Sequence, residues 1–459
     1  MNKYDAVIIG FGRGGKSLAA ELAGKGWKVA IIERSEEMYG GSCVNVACIP
    51  TKAMIHFAAL SECRKTLSFT QQSVVYREAV NSVDRLTSSM RKANYEKVVN
   101  KENLTLITGE ASFRSPHQLI VKTMEGELVI EADKIFINTG SLPIIPSITG
   151  IEKSKRVYTS ESLLKLQQLP RHLVIIGGGY VGLEFAFMYA AFGSQVTLLD
   201  THPQILPHED DDIAYYVRKA IEEREIVFHK NVMVQSIRDE KNASIVSYVN
   251  LSTENLHELP ADAVLIAVGR EPDIKSLDLE AAGIHLNDHG AIETDAHLHT
   301  SVPGIWAMGD VKGGPMFTYV SLDDYRIIID ELFGKGQRTV FDRDPIPTTL
   351  FIEPPLAKIG VGEEEAFRVG CNIKVAKLLA SEMGRAKTLG QTEGLMKIVV
   401  NADTNHIIGC TFFCVEANEM INLAAVAIHA KLDYRFMRDQ VFTHPSMSEA
   451  FNKLLSLIE

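Results

Sequence analysis

The sequence predicts an α/β fold with two doubly wound units of parallel strands and helices, followed by an α+β domain. A strand–glycine–helix–strand pattern occurs twice, at residues 4–33 and 172–200. The length of 459 residues exceeds one ordinary core and predicts two to four domains. A composition of 46% hydrophobic and 23% charged residues is typical of globular proteins.

The first unit reads YDAVIIGFGRGGKSLAAELAGKGWKVAIIE. An apolar strand, Ala6–Ile9, runs into Gly10, Gly12 and Gly15, and a helical stretch leads to a second strand that ends at Glu33. In such a unit the first glycine allows a tight turn, the second lets the backbone approach a pyrophosphate, and the third lets helix and strand pack closely. The pattern predicts a Rossmann-like dinucleotide site in which Glu33 accepts a hydrogen bond from a ribose hydroxyl.

The second unit reads HLVIIGGGYVGLEFAFMYAAFGSQVTLLD. Its strand, Leu173–Ile176, is followed by Gly177, Gly179 and Gly182, and the unit closes on Asp200. The first glycine and the terminal acid are 23 residues apart in both units. The repeat therefore predicts a second dinucleotide.

The acid of the second unit predicts which nicotinamide cofactor binds. Asp200 repels a 2′-phosphate, and the residues after it, Thr201 and His202, provide no Arg or Lys to bind one. We therefore expect NADH to be preferred over NADPH.

The net charge and the composition of individual segments argue against several classes of protein. The net charge is −11 and the pI about 5.7, without a basic stripe, so nucleic-acid binding is disfavoured. We find no apolar run approaching the roughly 18–20 residues that span a bilayer, and no signal peptide at the N-terminus. Six cysteines without a secretory signal do not indicate a disulfide scaffold. We expect a cytoplasmic protein without membrane partners.

Cys43 and Cys48 stand in the stretch YGGSCVNVACIPTK. They could form a redox pair, part of a metal site, or a packed pair near a helix start. Residues five apart in an ideal α-helix have Cα atoms about 8.6 Å apart, whereas a disulfide needs less than about 7 Å. A disulfide here thus requires a distorted segment, which Pro50 favours because it has no N–H. A helix N-terminus would also stabilise thiolates.

A metal site would need further ligands that the sequence does not supply at zinc-like spacing. Cys410 and Cys414 occupy same-face strand positions and are expected in the core, and Cys63 and Cys371 are single. His202 and His208 precede an acidic run at residues 209–212 and could form a metal site with it. Acidic residues are also typical of the first turn of a helix, which is the favoured interpretation of this run. With two dinucleotide units nearby, redox activity is the favoured interpretation of the close pair.

The stretch GGSCVNVACIPTK resembles the active-site motif of the FAD-dependent pyridine nucleotide–disulfide oxidoreductases, and the resemblance extends over essentially the whole chain. One departure is Ala47, which replaces the family's usual glycine before the second cysteine and which we expect to be tolerated. Four more segments resemble family motifs: Ile135–Gly150, Leu265–Asp273, Thr300–Asp310 and Val441–Ala450.

Two segments narrow the resemblance. GGPMFTYVSLDDYRIIIDELFG replaces the His/Ala-type segment of glutathione and lipoamide enzymes, and FTHPSMSEAFNKLLSLIE ends the chain. Together they most resemble a mercuric-reductase-like group of bacterial flavoproteins linked to reactive-chlorine resistance and copper(II) reduction.

The resemblance implies roles for the residues that match its motifs. Cys48 would be the charge-transfer thiol beside the flavin, and Cys43 the interchange thiol that meets the substrate. Lys52 would pair with Glu184 near the flavin, and Tyr180 would cover the flavin until nicotinamide displaces it.

The C-terminal motif implies a further catalytic pair. His444 would be the acid–base partner of Cys43, and Glu449 would orient its ring. In this family the histidine comes from the other subunit, so the resemblance implies a homodimer. The cofactor-binding residues, for FAD and NADH together, are then Gly10, Gly12, Gly15, Glu33, Gly41, Ser42, Lys52, Ala111, Thr139, Gly140, Gly177, Gly179, Tyr180, Gly182, Glu184, Asp200, Gly269, Arg270 and Asp310.

The expected domains follow from the two units and the motifs. An FAD-binding domain comprises residues 1–150 and 271–340, and an NAD-binding domain comprises residues 151–270. The stretch GKGQRTVFDRDPIP predicts a linker into a C-terminal dimerisation domain of residues 341–459. In that domain an amphipathic helix, EMINLAAVAIHAKL, could form the dimer contact.

The expected activity is that of an NADH-dependent FAD flavoprotein with a redox-active Cys43–Cys48 disulfide. Its acceptor would be a metal ion of the Cu(II) type, or a disulfide or oxidant, in defence against oxidative or reactive-chlorine stress. The first alternative is a disulfide reductase of the dihydrolipoamide dehydrogenase type. The second is a redox sensor without turnover, which the nicotinamide and acid–base motifs disfavour.

Overall fold

A computed structural model describes residues 2–62 and 67–458. Cys63, expected from sequence to have a packing role, lies outside the described residues. Residues 2–143 form the elements β1 (Asn2–Ile9), α1 (Arg13–Gly24), β2 (Val29–Glu33), a 3₁₀ helix (Glu36–Met38), α2 (Ser42–Asn45), α3 (Cys48–Glu62), α4 (Phe69–Val99), β3 (Leu104–Thr108), β4 (Glu110–Ser115), β5 (Gln118–Thr123), β6 (Gly126–Ile137) and β7 (Ser141–Pro143).

The middle of the chain contains the second glycine unit. Residues 157–272 form β8 (Val157–Thr159), α5 (Ser160–Leu163), β9 (His172–Ile176), α6 (Tyr180–Ala191), β10 (Gln195–Leu199), α7 (Asp211–Glu223), β11 (Val227–His229), β12 (Val232–Asp239), β13 (Ser244–Asn250), β14 (Leu256–Ala261), β15 (Ala263–Ile266) and β16 (Arg270–Pro272).

The remaining residues return to the first sheet and then build the C-terminal region. They form α8 (Leu279–Ala282), β17 (Ile305–Ala307), α9 (Thr318–Phe333), β18 (Thr348–Leu350), β19 (Leu356–Gly360), α10 (Glu363–Arg368), β20 (Ile373–Leu379), α11 (Gly384–Leu389), β21 (Leu395–Asn401), β22 (Ile407–Phe413), α12 (Ala417–His429), α13 (Tyr434–Asp439) and α14 (Ala450–Leu455). Short 3₁₀ helices cover Gly309–Lys312, Val340–Arg343 and Ala380–Glu382.

The first sheet has the strand order β3-β2-β1-β6-β5-β4, and β17 pairs with β6. Strands β3, β2, β1, β6 and β17 run parallel, while β4 and β5 form an antiparallel extension of β6. The sequence predicts a first strand that begins at Ala6, but in the structure this strand begins at Asn2. Strand β17 lies some 170 residues after β6 in the chain, although the two strands pair. The residues that form the second sheet are therefore inserted between two strands of the first.

The second sheet is parallel, with the order β11-β10-β9-β15-β8. An antiparallel sheet of β12, β13 and β14 packs beside it through a shared apolar cluster that includes Val174, Ile176, Val246 and Val264. A short antiparallel pair, β7 with β16, joins the two nucleotide-type units where Arg270 faces Pro143. The carboxyl ends of the parallel strands thereby open toward the clefts described below.

Helix α4 supports the redox segment from outside. Its N-terminus has a capping box, in which the Gln71 N–H donates to Ser68 Oγ (3.4 Å) and the Ser68 N–H donates to Gln71 Oε1 (2.9 Å). Tyr76, Val80 and Val83 recur at helical spacing and are buried in the largest apolar cluster, which also contains residues of α3 and α6. The three helices therefore form one packed layer under the cysteines.

The C-terminal region is an antiparallel sheet with the order β18-β19-β22-β21-β20, covered by α12 and α14. Phe412 of β22 and Phe451 of α14 meet edge to face, 5.7 Å between ring centroids. Cys410 and Cys414 are buried in this core, and burial raises the pKa of both thiols, that of Cys414 to about 12. The α/β fold class with a C-terminal α+β domain is confirmed, whereas the domain limits at 150, 270 and 340 stay predictions.

The stretch at residues 42–61, which spans α2 and most of α3, is long and apolar enough to cross a membrane by length and composition. This differs from the expectation that the sequence contains no such run. The stretch includes Lys52 in an ion pair and packs against α4 and α6. A core helix of a soluble protein passes the same test, so the feature is weak evidence for a membrane span.

Candidate active site

The first glycine loop is packed too closely for side chains. Gly10 has φ +107°, and a Cβ there would collide with the carbonyl oxygen of Asn138. A Cβ at Gly12 would lie 2.9 Å from Asn138 Oδ1, and one at Gly15 would lie 2.6 Å from the Gly10 oxygen. The glycines thus let the start of α1 approach the end of β6.

Asn138 fastens this loop and was not singled out from the sequence. Its side chain is buried, accepts a hydrogen bond from the Gly15 N–H (2.9 Å), and donates to the Met308 carbonyl (2.8 Å) and to Ser321 Oγ (3.2 Å). It therefore ties the glycine loop to the segment around β17 and α9. The available signal was a polar residue placed directly after a buried strand, in INTG.

Glu33 ends β2, as the sequence predicts for the acid of the first unit. Its Oε2 accepts a hydrogen bond from the Phe11 N–H (3.0 Å), so one oxygen is held by the glycine loop. Burial raises the pKa of this carboxyl, and the backbone hydrogen bonds and the charge of Arg34 only partly oppose the effect.

A cleft of about 1030 Å³ opens beside this loop. A dinucleotide fits the chemistry of its walls, because a buried Thr139 hydroxyl has no hydrogen-bond partner among the described residues. A bound hydroxyl or phosphate group could satisfy that atom. The predicted site residues that line this first cleft are Gly10, Gly12, Glu33, Gly41, Ser42, Cys43, Ala111, Thr139, Gly140 and Asp310.

Asp310 and Arg270 meet through a serine that the sequence analysis missed. Ser141 Oγ donates to Asp310 Oδ2 (2.7 Å) and accepts from Arg270 Nε (2.9 Å). The Arg270 guanidinium also donates to the Ser141 carbonyl (2.7 Å) and to Glu161 Oε1 (3.2 Å). Arg270 lines the second cleft rather than the first, so this network lies between the two clefts.

The redox segment is pressed against the glycine loop and is broken between its cysteines. Gly41 has φ +81°, and a Cβ there would lie 2.6 Å from the Gly12 Cα. Helix α2 carries Cys43 and ends before Val46 (φ −141°), and α3 begins at Cys48. The two cysteines therefore occupy separate helices, so the ideal-helix separation does not apply to them, and both are free thiols in this structure.

The two thiols have opposite acidities. A hydrogen bond from Cys43 lowers the pKa of Cys48, and Thr318 and Lys52 act in the same direction against the effect of burial. The same bond and burial raise the pKa of Cys43. The Cys48 Sγ lies 3.3 Å from Thr318 Oγ1. The two shifts favour a reduced pair with the negative charge on Cys48 and the proton on Cys43.

Lys52 and Glu184 form an ion pair behind the cysteines. The Lys52 Nζ donates to both carboxylate oxygens, at 2.7 and 2.6 Å, and the Glu184 side chain is only 9% exposed. The Phe351 N–H also donates to Glu184 (3.0 Å), and the Lys52 Nζ lies 4.6 Å from the Phe351 ring centroid. The pair thus joins α3, α6 and the segment that leads into the C-terminal sheet.

The second glycine loop combines close packing with open space. A Cβ at Gly177 (φ +110°) would collide with the Ala267 carbonyl, and one at Gly182 with the Gly177 carbonyl. A Cβ at Gly179 would meet nothing within 4 Å. The second position therefore faces a cleft at the N-terminus of α6, which is the place where a pyrophosphate fits.

This second cleft has a volume of about 1510 Å³. Asp200 lies in it, where its carboxylate accepts from the Gly178 N–H and from the His202 N–H (2.7 Å). The predicted site residues that line this second cleft are Gly177, Gly179, Tyr180, Asp200, Gly269 and Arg270.

Tyr180, the first residue of α6, forms part of the wall of the second cleft. Burial raises the pKa of its phenol, and the charge of Glu209 adds to the effect. Glu209 lines the same cleft, pairs with Lys358 (3.0 Å) and was considered from sequence only as part of an acidic run. Within residues 2–62 and 67–458, no group of three or more His, Cys, Asp or Glu side chains could hold a metal ion.

His444 and Glu449 form a pair on the C-terminal domain. The His444 Nδ1 lies 2.8 Å from Glu449 Oε2, and the histidine side chain is 79% exposed. The structure brings Cys43, Cys48, Lys52 and Glu184 together but leaves His444 apart from them in the single chain. Among the described residues, no hydrogen bond joins His444 to either thiol.

Two family models match the chain. The description "Pyridine nucleotide-disulphide oxidoreductase" matches residues 4–324, and its dimerisation domain matches residues 346–455. A probable pyridine nucleotide-disulfide oxidoreductase, RclA of Escherichia coli K12, is 44% identical over 459 residues, which is 100% of both chains. A dihydrolipoyl dehydrogenase of Buchnera aphidicola from Schizaphis graminum is 31% identical and covers 98% of this chain and 94% of its own.

A solved structure agrees with the sequence comparisons. It is described as the Cu(II) complex of the HOCl-induced flavoprotein disulfide reductase RclA from Escherichia coli. The two chains are 43% identical with a TM-score of 0.94, and the match covers 100% of each. The chain therefore belongs to the pyridine nucleotide–disulphide oxidoreductase family, and membership implies FAD and a nicotinamide dinucleotide as cofactors.

Proposed function

We propose that this chain is an NADH-dependent FAD flavoprotein that passes electrons through a Cys43–Cys48 disulfide. Its acceptor is Cu(II) or a disulfide or oxidant, in defence against oxidative or reactive-chlorine stress. It works as a homodimer in the cytoplasm. The observation that carries the proposal is the placement of the two thiols: Cys43 lines the first cleft, Cys48 begins the next helix, and Lys52 of that helix pairs with Glu184.

The walls of the two clefts support the two cofactors. Residues of the first cleft, from Gly10 to Asp310, would hold FAD, and those of the second, including Tyr180 and Asp200, would hold NADH. When bound, FAD would supply the redox chemistry that couples NADH in the second cleft to the cysteine pair beside the first. Tyr180 stands at the start of α6 in the second cleft, where it would cover the flavin until nicotinamide displaces it.

The thiols and the histidine perform the exchange chemistry. His444 of a second copy takes the Cys43 proton, and the Cys43 thiolate attacks one sulfur of an acceptor disulfide. The leaving sulfur receives the proton from His444. The Cys48 thiolate then attacks the Cys43 sulfur, which re-forms the internal disulfide and releases the second acceptor sulfur as a thiolate that takes a proton from water.

With Cu(II) as acceptor, the same dithiol supplies two electrons. Oxidation of Cys43 and Cys48 to the disulfide reduces two Cu(II) ions to two Cu(I) ions and releases the thiol proton. The description of the Escherichia coli relative as an HOCl-induced disulfide reductase solved with Cu(II) supports this acceptor class. The dihydrolipoyl dehydrogenase relatives keep lipoamide as the alternative.

Steady-state NADH oxidation without oxygen tests the acceptor. Cu(II), lipoamide and glutathione disulfide are compared in the wild type and in Cys43→Ser. We expect turnover with Cu(II) that Cys43→Ser abolishes, and at least about tenfold higher kcat/KM for NADH than NADPH because Asp200 repels the 2′-phosphate. Rapid lipoamide reduction without Cu(II) turnover would favour the alternative. A kcat/KM for NADPH comparable to that for NADH would contradict the cofactor preference. An absence of turnover with all three acceptors would favour a redox sensor over an enzyme.

A further inference from the structure

Thr318 brings a hydroxyl group to the cysteine pair from a distant part of the chain. It is the first residue of α9 and lines the first cleft together with Cys43. Its Oγ1 lies 3.3 Å from the Cys48 Sγ, within hydrogen-bond distance for sulfur. Nothing in the redox motif itself supplies this contact, because Thr318 follows Cys48 by 270 residues.

The start of α9 is held firmly on both sides. The rings of Phe317 and Tyr319 stack at 5.1 Å and 7°, and the Tyr319 hydroxyl donates to the Pro347 carbonyl (2.6 Å). One turn later, Ser321 Oγ accepts a hydrogen bond from the buried Asn138 amide (3.2 Å). The Thr318 hydroxyl is therefore placed by fixed neighbours rather than by the cysteines.

Thr318 can replace a hydrogen bond that Cys48 loses during thiol–disulfide exchange. In the resting reduced pair the strongest support for the Cys48 thiolate is the hydrogen bond from Cys43. That donor is lost when Cys43 gives up its proton and bonds to an acceptor sulfur. A hydroxyl that can rotate keeps one donor on Cys48 at that stage.

We propose that Thr318 is a positioning residue whose hydroxyl donates to Cys48 and keeps it a thiolate while Cys43 exchanges with the acceptor. The inference deepens the proposed function and rests on it. The ionisable groups that also face the pair are Lys52 on α3, Tyr319 on α9, and Lys16 on α1, which acts on Cys43. None of these is altered by substitution at Thr318.

The test compares Thr318→Val, which keeps the shape, with Thr318→Ser, which keeps the hydroxyl. Reduced holoenzyme is titrated from alkaline to acid pH, and the long-wavelength absorbance of the thiolate beside the flavin is recorded. Because Thr318→Val removes one hydrogen bond to a charged sulfur, we expect the midpoint at which this absorbance disappears to rise by about one pH unit. Thr318→Ser should return it to the wild-type value.

Two outcomes overturn the inference. One is a midpoint that neither variant changes. The other is a midpoint that Thr318→Ser shifts and Thr318→Val does not, since that order indicates packing rather than hydrogen bonding. Wild-type enzyme without any long-wavelength absorbance would instead contradict the proposed function.

A second measurement needs no flavin signal, so it distinguishes a failure of the Thr318 inference from a failure of the proposed function. Alkylation of Cys48 by iodoacetamide is followed by mass spectrometry against pH in Cys43→Ser and in Cys43→Ser with Thr318→Val. We expect the midpoint of alkylation to lie about one pH unit higher in the double variant. Equal midpoints would overturn the role of Thr318 whatever the absorbance shows.

Discussion

Cys43 and Cys48 are a few residues apart, yet their surroundings divide their tasks. The groups that stabilise the Cys48 thiolate are the Cys43 thiol, the Thr318 hydroxyl and the Lys52 ammonium. Cys43 keeps its proton because its hydrogen bond to Cys48 and its burial both oppose ionisation. Exchange with an acceptor would therefore need a base for Cys43, and among the described residues of the single chain His444 forms its hydrogen bond with Glu449 and not with Cys43.

Replacing His444 tests that base at the residue scale. We expect His444→Ala to slow disulfide or Cu(II) turnover by about 100-fold or more, because general-base assistance is worth that much. Flavin reduction by NADH should keep its rate, since the second cleft lies elsewhere. Stopped-flow absorbance measures the reduction, and steady-state assays measure turnover.

Glu449→Gln is the matched control for this variant. Glu449 accepts from His444 Nδ1 at 2.8 Å, and the neutral amide keeps the shape while weakening the orientation of the ring. We expect a smaller loss of turnover than with His444→Ala and an unchanged thermal midpoint. Equal turnover in wild type and His444→Ala would refute the role of the histidine.

At the element scale, the acidic run at residues 209–212, which includes the first turn of α7, connects that helix to the C-terminal sheet. Asp210 accepts hydrogen bonds from the Glu363 and Glu364 N–H groups (both 3.0 Å) at the start of α10. Lys397 of β21 is 2% exposed and pairs with Asp210 (2.7 Å), Asp212 (3.0 Å) and Glu363 (2.6 Å). The run is therefore a contact between domains, as well as the first turn of a helix.

Lys397→Met should destabilise this contact. It leaves three carboxylates without their buried cation, and we expect the free energy of unfolding to fall by about 3–5 kcal/mol. Lys219→Met is the control, because Lys219 forms an exposed i,i+4 pair with Glu223 (3.6 Å) and should change the free energy by less than about 0.5 kcal/mol. Chemical denaturation measures both, and equal losses would contradict the account.

The same network predicts a pH dependence. Burial raises the pKa of Asp210, but its bonds to Lys397 and to backbone amides outweigh burial and leave the pKa below its ordinary value. A depressed carboxyl pKa stabilises the fold above the unfolded value of about 3.9 and loses that contribution as pH falls through the folded value. The denaturation midpoint of the wild type should thus fall when the pH is lowered below about 4. The midpoint of Lys397→Met should fall less over the same pH range.

At the scale of the whole molecule, the proposed active site needs a second copy to bring His444 to Cys43. Val426 on α12 is 66% exposed in the single chain, beside a half-exposed Leu423 on the same helix. An exposed apolar helix face in a domain that matches a dimerisation model is the surface we expect the second copy to cover.

Val426→Asp should therefore separate assembly from reduction. A carboxylate in an apolar interface favours the monomer, and we expect size-exclusion chromatography with light scattering to show about half the mass. Reduction by NADH should persist while acceptor turnover is lost. Val369→Asp is the control, since Val369 is equally exposed (67%) but lies after α10. Dimeric, active Val426→Asp would contradict the assignment of α12.

Local features were predictable, and features that join distant segments were not. Both glycine units were found from sequence because turn, phosphate approach and helix packing each require glycine within a short stretch. Asn138, Thr318 and Lys397 contact Gly15, Cys48 and Asp212, which are 123 to 270 residues away, and their neighbours in sequence do not indicate those partners. The apolar stretch at 42–61 was misjudged because its mean hydropathy stays high despite Lys52.

An anaerobic titration of the purified protein with NADH, followed by visible absorbance, tests the central claim most directly. A flavin that communicates with the Cys43–Cys48 disulfide predicts yellow enzyme and, at one equivalent of NADH, a long-wavelength charge-transfer band together with two new titratable thiols. Cys43→Ser should show the flavin without gaining those thiols. Flavin that bleaches at one equivalent with no such band and no new thiols would contradict the electron path through the cysteines.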